Sequence, residues 1–234
     1  MLVVGFPAEA FGTNCYLIAP AAGEQCVVVD PGIGVIDRLD ELLAEHRLQP
    51  VAVLLTHGHI DHTFSVTPVC EARGLTAYIH PADRQLLTDP AKGLSAEMKT
   101  LFGGALPWAE PGDVAPLPDG GEISVAGLSI TVDHAPGHTR GSVLFRMPGE
   151  RAEEPLCFSG DVLFAGSIGR TDLPGGDPDA MTVSLREKIL PLADATIVLP
   201  GHGPATTVGK ERASNPYLYE AAKGAPATGP NRGW

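Results

Sequence analysis

Three imidazoles and a carboxylate crowd into six consecutive positions, His57, His59, Asp61 and His62 of the stretch THGHIDH, directly after the apolar run Val51 to Leu55. His138 in APGHT, His202 in LPGHG and Asp161 in FSGD share that setting, each after an apolar segment and beside a glycine that lets the backbone approach a common centre. Neutral imidazole and carboxylate are borderline to hard donors that suit zinc, iron or manganese. Seven such groups are about what two ions need if positions are to stay open for water. A single histidine near a loop is more often a satisfied or surface residue. Placing this many titratable groups at strand ends, however, would leave costly unpaired polar atoms unless something divalent held them together. The other three histidines differ. His46 closes a helix, where a cation suits the dipole, and His80 precedes Pro81 at a helix start, so both read as structural. His134, four residues before His138, is a candidate for supporting a ligand from behind.

The elements that must position these groups follow from hydrophobic period and punctuation. Short β-rich runs at Leu2 to Phe6, Asn14 to Ile18 and Cys26 to Val29 predict strands, and Val35, Ile36, Leu39, Leu42 and Leu43 predict one amphipathic helix ending near His46. Val51 to Leu55 predicts a strand buried on both faces. A helix from Thr63 to Arg73, a strand at Thr76 to Ile79 and a helix from Pro81 to Leu87 follow. Between Asp89 and Gly121 the pattern dissolves into Pro and Gly, which predicts a long loop, either a lid or a surface excursion pinned by Phe102 and Trp108. Strands resume at Glu122 to Val125, Leu128 to Val132, Ser142 to Arg146 and Leu156 to Ser159. A helix at Met181 to Leu190, a strand at Ala195 to Leu199 and one last helix from Thr207 to Ala222 complete the series. Residues 1–223 read as a single domain, and Gly224 to Trp234 as a flexible tail with little to pack.

A net charge of −12 disfavours a general nucleic-acid binder, which needs clustered Lys and Arg. No apolar run approaches the ~18 residues of a membrane helix, and Met1 to Pro7 lacks a basic signal region, so a cytoplasmic, membrane-free protein is expected. Cys15, Cys26, Cys70 and Cys157 are scattered and apolar in context, which predicts buried reduced thiols. A homo-oligomer is compatible with this composition.

The motifs THGHIDH, APGHT, FSGD and LPGHG, in this order, resemble the metallo-β-lactamase superfamily, and GTNCYLI, VVVDPG, GSIGRTDLPGGD and TTVGKERASNPYL are similar to the short glyoxalase II-type, hydroxyacylglutathione hydrolase-like enzymes. The resemblance implies an α+β fold, a four-layer αββα sandwich with the site where the two sheets meet. It also implies that His57, His59 and His138 hold one ion, that Asp61, His62 and His202 hold a second, and that Asp161 bridges them. Asp30 of VVVDPG would brace the ligand loop from behind, the alternative being a turn cap before Pro31. Two ions, zinc first with iron or manganese as alternatives, would supply a bridging hydroxide to attack a carbonyl, with Asp61 orienting the water or accepting its proton. The activity implied is hydrolysis of a thioester of a 2-hydroxy acid and a low-molecular-weight thiol, as in S-lactoylglutathione. No separate C-terminal helical substrate domain is expected, which leaves the loop Gly166 to Gly176 to contact substrate through Arg170 and Asp172, unless those two merely pair and stiffen the loop. One alternative is a persulfide dioxygenase with a single iron on His57, His138 and Asp161. Its usual Ala-His-Asp-Tyr is replaced here by Gly201-His202-Gly203-Pro204. A non-catalytic metal-binding or sensor protein is the alternative of another class, against which open coordination argues.

Overall fold

The computed structural model describes residues 1–102, 108–151 and 153–224. Strands β1 (Leu2–Pro7), β2 (Asn14–Ala19), β3 (Gln25–Val29), β4 (Gln49–Leu54), β5 (Thr76–Ile79) and β6 (Val114–Pro116) lie side by side in chain order as one mixed sheet. Strands β7 (Glu122–Val125), β8 (Leu128–His134), β9 (Val143–Met147), β10 (Leu156–Gly160), β11 (Ile197–Pro200) and β12 (Thr206–Thr207) form a second, also in chain order. The pairings from β1 to β3 are antiparallel and those from β3 to β6 parallel, while in the second sheet β10 and β11 are the parallel pair. Helices α1 (Ile36–His46), α2 (Ile60–Thr63), α3 (Val66–Arg73), α4 (Gln85–Thr88) and α5 (Ala96–Phe102) belong to the first half of the chain. Helix α6 (Pro178–Ser184), running into a π turn at Leu185–Ile189, with α7 (Val208–Ser214) and α8 (Pro216–Ala222), belongs to the second.

The period-2 alternation of the strands sorts side chains into layers. Cys15, Leu17 and Ala19 of β2 pack with Leu39, Leu42 and Leu43 of α1 and with Val66, Val69 and Cys70 of α3. Tyr16 and Ile18, between them, turn to the other face and meet Phe145 and Phe158 of the second sheet. On that sheet's far side Leu144 and Cys157 pack with Met181, Leu185, Ile189 and Leu218. Helices, sheet, sheet and helices thus stack as the expected αββα sandwich, an α+β fold, with all four cysteines buried as free thiols.

Several boundaries differ from expectation. The stretch from Asp89 to Gly121 is not one loop: it contains a 3-10 turn at Pro90–Gly93, α5 and β6. The helix expected from Thr63 starts earlier, as α2, and resumes at Val66. The helix expected at Met181 starts at Pro178, because the Asp177 carboxylate accepts the backbone N–H groups of Asp179 and Ala180 and Pro178 suits the first turn. The last helix is two, since Pro216 cannot continue α7 while Asn215 caps α8 through the Tyr217 N–H. Of the expected tail, residues 225–234 lie outside the described residues.

The C-terminal ends of β3, β4, β8, β10 and β11 come to one edge, where backbone bonds lace the sheets together: Asn14 N–H donates to the Gly201 carbonyl at 2.7 Å and Val143 N–H to the Thr56 carbonyl at 2.9 Å.

Candidate metal centre

Each of the seven expected groups follows a strand that ends at this edge. His57 and His59 follow β4, with Asp61 and His62 on α2. His138 lies between β8 and β9, Asp161 directly after β10, and His202 two residues after β11. Folding brings all seven together. Donor atoms of His57, His59 and His138 lie within 4.8 Å of one another, as do those of His57, His62 and Asp161 and those of Asp61, His62 and His202. His59 Nδ1 and His138 Nε2 face each other at 2.8 Å. His202 Nε2 is 3.1 Å from Asp61 Oδ2 and 3.3 Å from His62 Nε2. Asp161 reaches both groups, with Oδ1 3.3 Å from His62 Nε2 and Oδ2 3.5 Å from His138 Nε2 and 3.6 Å from His202 Nε2.

The outward atoms are held by the fold. Asp30, in the left-handed region at φ 50°, accepts the Thr56 N–H at 2.8 Å, the Thr56 hydroxyl at 2.6 Å and His62 Nδ1–H at 2.9 Å. These bonds tie Asp30 to the loop that carries His57 and to His62. His138 Nδ1–H donates to the Arg170 carbonyl at 2.7 Å, and His202 Nδ1–H to the Phe11 carbonyl at 3.2 Å. The Thr13 hydroxyl donates to Asp61 Oδ2 at 3.2 Å. Gly201 is required by close approach, since a Cβ there would sit 2.2 Å from Asp161 Oδ1 and 2.6 Å from His62 Cε1.

This arrangement fits a cation. His57 Nε2 and Asp161 Oδ1 are buried in the cluster without a hydrogen-bond partner, a costly state for polar atoms that an ion would relieve. Electrostatics divide the centre. Burial, reinforced by neighbouring imidazoles, pushes His57 well below the usual histidine range and His59 down to about 3, so both rings are neutral and ready to ligate. Burial also opposes charge on His62 and His202, yet Asp161 and Asp61 outweigh it and raise both. Burial opposes ionisation of Asp161 and Asp61 as well, and the facing imidazoles overcome it, His62 foremost, holding both carboxyls below their ordinary value.

Arg170 grips Asp172 in a two-pronged ion pair at 2.7 and 2.8 Å. With Phe11, Ile60, Met98 and Leu173, Arg170 lines a cavity of about 210 Å³ against His59 and Asp61. His134 is not in contact with a ligand: its ring stacks on His80 at 4.1 Å and its Nε2–H bonds the Arg140 carbonyl, in the loop that carries His138. Sequence reasoning missed Asp83, a buried carboxylate behind the His57 and His138 loops, and Thr13 and Thr56. The GTNCYLI stretch acts through Asn14, whose amide donates to the carbonyls of Pro200 and Gly203 at 3.0 and 2.9 Å, and through Tyr16, whose hydroxyl donates to the Pro200 carbonyl at 2.7 Å.

The chain is 48% identical over 220 residues to an uncharacterised protein of Mycobacterium tuberculosis, covering 93% of this chain and 98% of that one. It is 35% identical over 222 residues to the hydroxyacylglutathione hydrolase GloC of Haemophilus influenzae, covering 91% and 95%. Among solved structures, the BLEG-1 B3 metallo-beta-lactamase superposes with a TM-score of 0.81 at 37% identity over 93% of this chain and 99% of that one. A protein solved in a di-iron-bound form superposes at 0.76 with 38% identity over 92% and 99%. The model of the metallo-beta-lactamase superfamily matches residues 8–202, a span that holds all seven clustered groups. Sheet order, ligand order and this match agree, and the chain belongs to the metallo-beta-lactamase superfamily.

Proposed function

We propose that this protein is a metal-dependent hydrolase that cleaves the thioester of a 2-hydroxy acid and a low-molecular-weight thiol, with S-lactoylglutathione as the model substrate. The observation that carries this reading is the pair of ligand trios meeting at Asp161, whose inward atoms include buried nitrogen and oxygen with no other partner. His57, His59 and His138 would hold one divalent ion, Asp61, His62 and His202 another, and Asp161 would touch both; zinc suits the donor set, as do iron and manganese. Ions bound there supply a water ionised near pH 7 and polarise a carbonyl oxygen. Asp61, fixed by the Thr13 hydroxyl and by His202, is placed to orient that water and accept its proton.

The cavity favours a leaving group that departs unaided. Apart from His59 and Asp61 its described lining offers Phe11, Ile60, Gly93, Leu94, Ser95, Met98, Arg170 and Leu173, and none of these is a general acid near neutral pH. A thiol of pKa about 8.5 leaves as thiolate without one, whereas an amide nitrogen needs a proton. Arg170 lines that cavity with its guanidinium paired to Asp172, and a carboxylate of the thiol carrier would share or displace that pair. The similarity to GloC supports the same substrate class.

A β-lactamase reading draws on the likeness to BLEG-1, and a persulfide dioxygenase reading would use His57, His138 and Asp161 alone. The second trio, assembled around the buried His62 and His202, favours two ions over one. The test is to purify the protein, measure metal per chain, and compare acid release from S-lactoylglutathione with β-lactam opening and with oxygen uptake on glutathione persulfide. Acid release without oxygen uptake, from protein carrying two ions, is the expected result. Oxygen uptake by protein with one iron would replace this reading with the dioxygenase.

A further inference from the structure

Asp83 lies between β5 and α4, far from any ligand in sequence, and is 1% exposed. Its Oδ2 accepts the Gly58 N–H at 2.9 Å and the Thr139 hydroxyl at 2.6 Å, and its Oδ1 accepts the Gly141 N–H at 2.8 Å. Gly58 sits between His57 and His59, and Thr139 follows His138. One buried carboxylate therefore ties together the two loops that supply the three imidazoles of the proposed first ion. The fit is close: a Cβ on Gly141 would lie 2.6 Å from Asp83 Cγ. Asp30 reaches both groups: the second through His62, and the first through Thr56, whose hydroxyl also meets His57 Nδ1 at 3.1 Å.

We propose that Asp83 is a positioning residue for the first ion, holding the His57–His59 loop and the His138 loop at the separation that one cation requires. The inference rests on the metal-binding part of the proposed function and not on the substrate. A carboxylate is needed because its three partners are all donors. In Asp83→Asn the volume is kept, but one oxygen becomes an NH2. Whichever way the amide turns, one backbone N–H, that of Gly58 or that of Gly141, loses its acceptor and the tie between the loops weakens.

The test isolates each ion. The His202→Ala chain keeps the His57, His59 and His138 group whole, and the His138→Ala chain keeps the Asp61, His62 and His202 group. Zinc affinity of each is measured by competition with a coloured chelator, with and without Asp83→Asn. The expected result is a loss of about 10- to 100-fold in the His202→Ala background and less than about threefold in the His138→Ala background. Thr139→Val, which removes one of the three bonds, should give a smaller loss in the same background, and it serves where Asp83→Asn does not fold. Equal losses in both backgrounds would reduce Asp83 to general fold support and overturn the proposal, as would no loss in the first. A His202→Ala protein that binds no zinc would sink the ligand assignment and this proposal with it. Selective loss in a protein that hydrolyses no thioester would leave Asp83 in place and remove only the substrate reading.

Discussion

Asp161 is the residue on which both halves of the centre depend, since its two oxygens face His62 on one side and His138 and His202 on the other. Asp161→Ala is expected to lower metal content and thioester hydrolysis together, by about 100-fold or more, because under the proposed assignment each ion would lose a ligand and the imidazoles of His62, His138 and His202 would lose the carboxylate that faces them. His59→Ala should do the same through the first ion alone. Metal analysis beside a rate measurement checks both, and full activity with unchanged metal in either variant would remove that residue from the assignment. The seven clustered groups were legible because chemistry of this kind packs donors into short motifs at strand ends. Asp83 was not. Its three partners lie 25, 56 and 58 residues away, and a single acid after Pro81-Ala82 looks like any helix start. The role of Asp30 was half legible, since turn cap and ligand brace share one motif and only the His62 contact separates them.

Elements long enough to show a period were legible to within a few residues: β2, β5, β7 and α1 fall where alternation and helical spacing put them. Those that failed are short or capped locally. Strands β6 and β12 have three and two residues, too few for alternation to register, and they exist because a neighbouring strand offers its edge. The break between α7 and α8 was written in Asn215-Pro216 but masked by helix formers on either side. That corner is held by Glu211, fully buried, which accepts the Gly166 N–H at 2.7 Å, the Thr206 hydroxyl at 2.6 Å and the Asn215 amide at 3.0 Å. The Glu211 carboxylate thereby joins α7 to β12 and to the loop that carries Arg170. Glu211→Ala strands three donors, and a stability loss of about 3–5 kcal/mol is expected in urea unfolding. None of the clustered groups touches Glu211 itself, and only the Gly166 to Arg170 loop, whose Arg170 carbonyl meets His138, links it to the site. A loss below about 1 kcal/mol would mean that water satisfies those donors and that the corner is held by packing alone.

Across the whole molecule, a −12 charge leaves the surface acidic while the layers beneath it are apolar and carry the four thiols. Cys15, Cys26 and Cys70 lie under the first sheet's helices and Cys157 under the second's. Burial pushes every one of them up: Cys26, Cys70 and Cys157 to about 12, and Cys15 well above its ordinary 9.0, with Asp30 adding to the effect there. The unfolded chain loses these protons from pH 9 upward while the native chain keeps them, so the unfolded state binds fewer protons and stability must fall as pH rises. The contribution is whole below pH 9 and fades as pH climbs through about 12. Urea midpoints are therefore expected to stay level from pH 7.5 to 8.5 and to decline above 9, and a thiol-specific reagent should find no reactive cysteine in the native protein at pH 8. Cys26→Ala with Cys70→Ala should flatten part of that alkaline decline while lowering the plateau, since each leaves a small cavity. An alkaline slope that the double variant does not change would assign the decline to the remaining buried groups that burial also pushes up, Cys15, Cys157 and the Tyr16 hydroxyl, instead of Cys26 and Cys70.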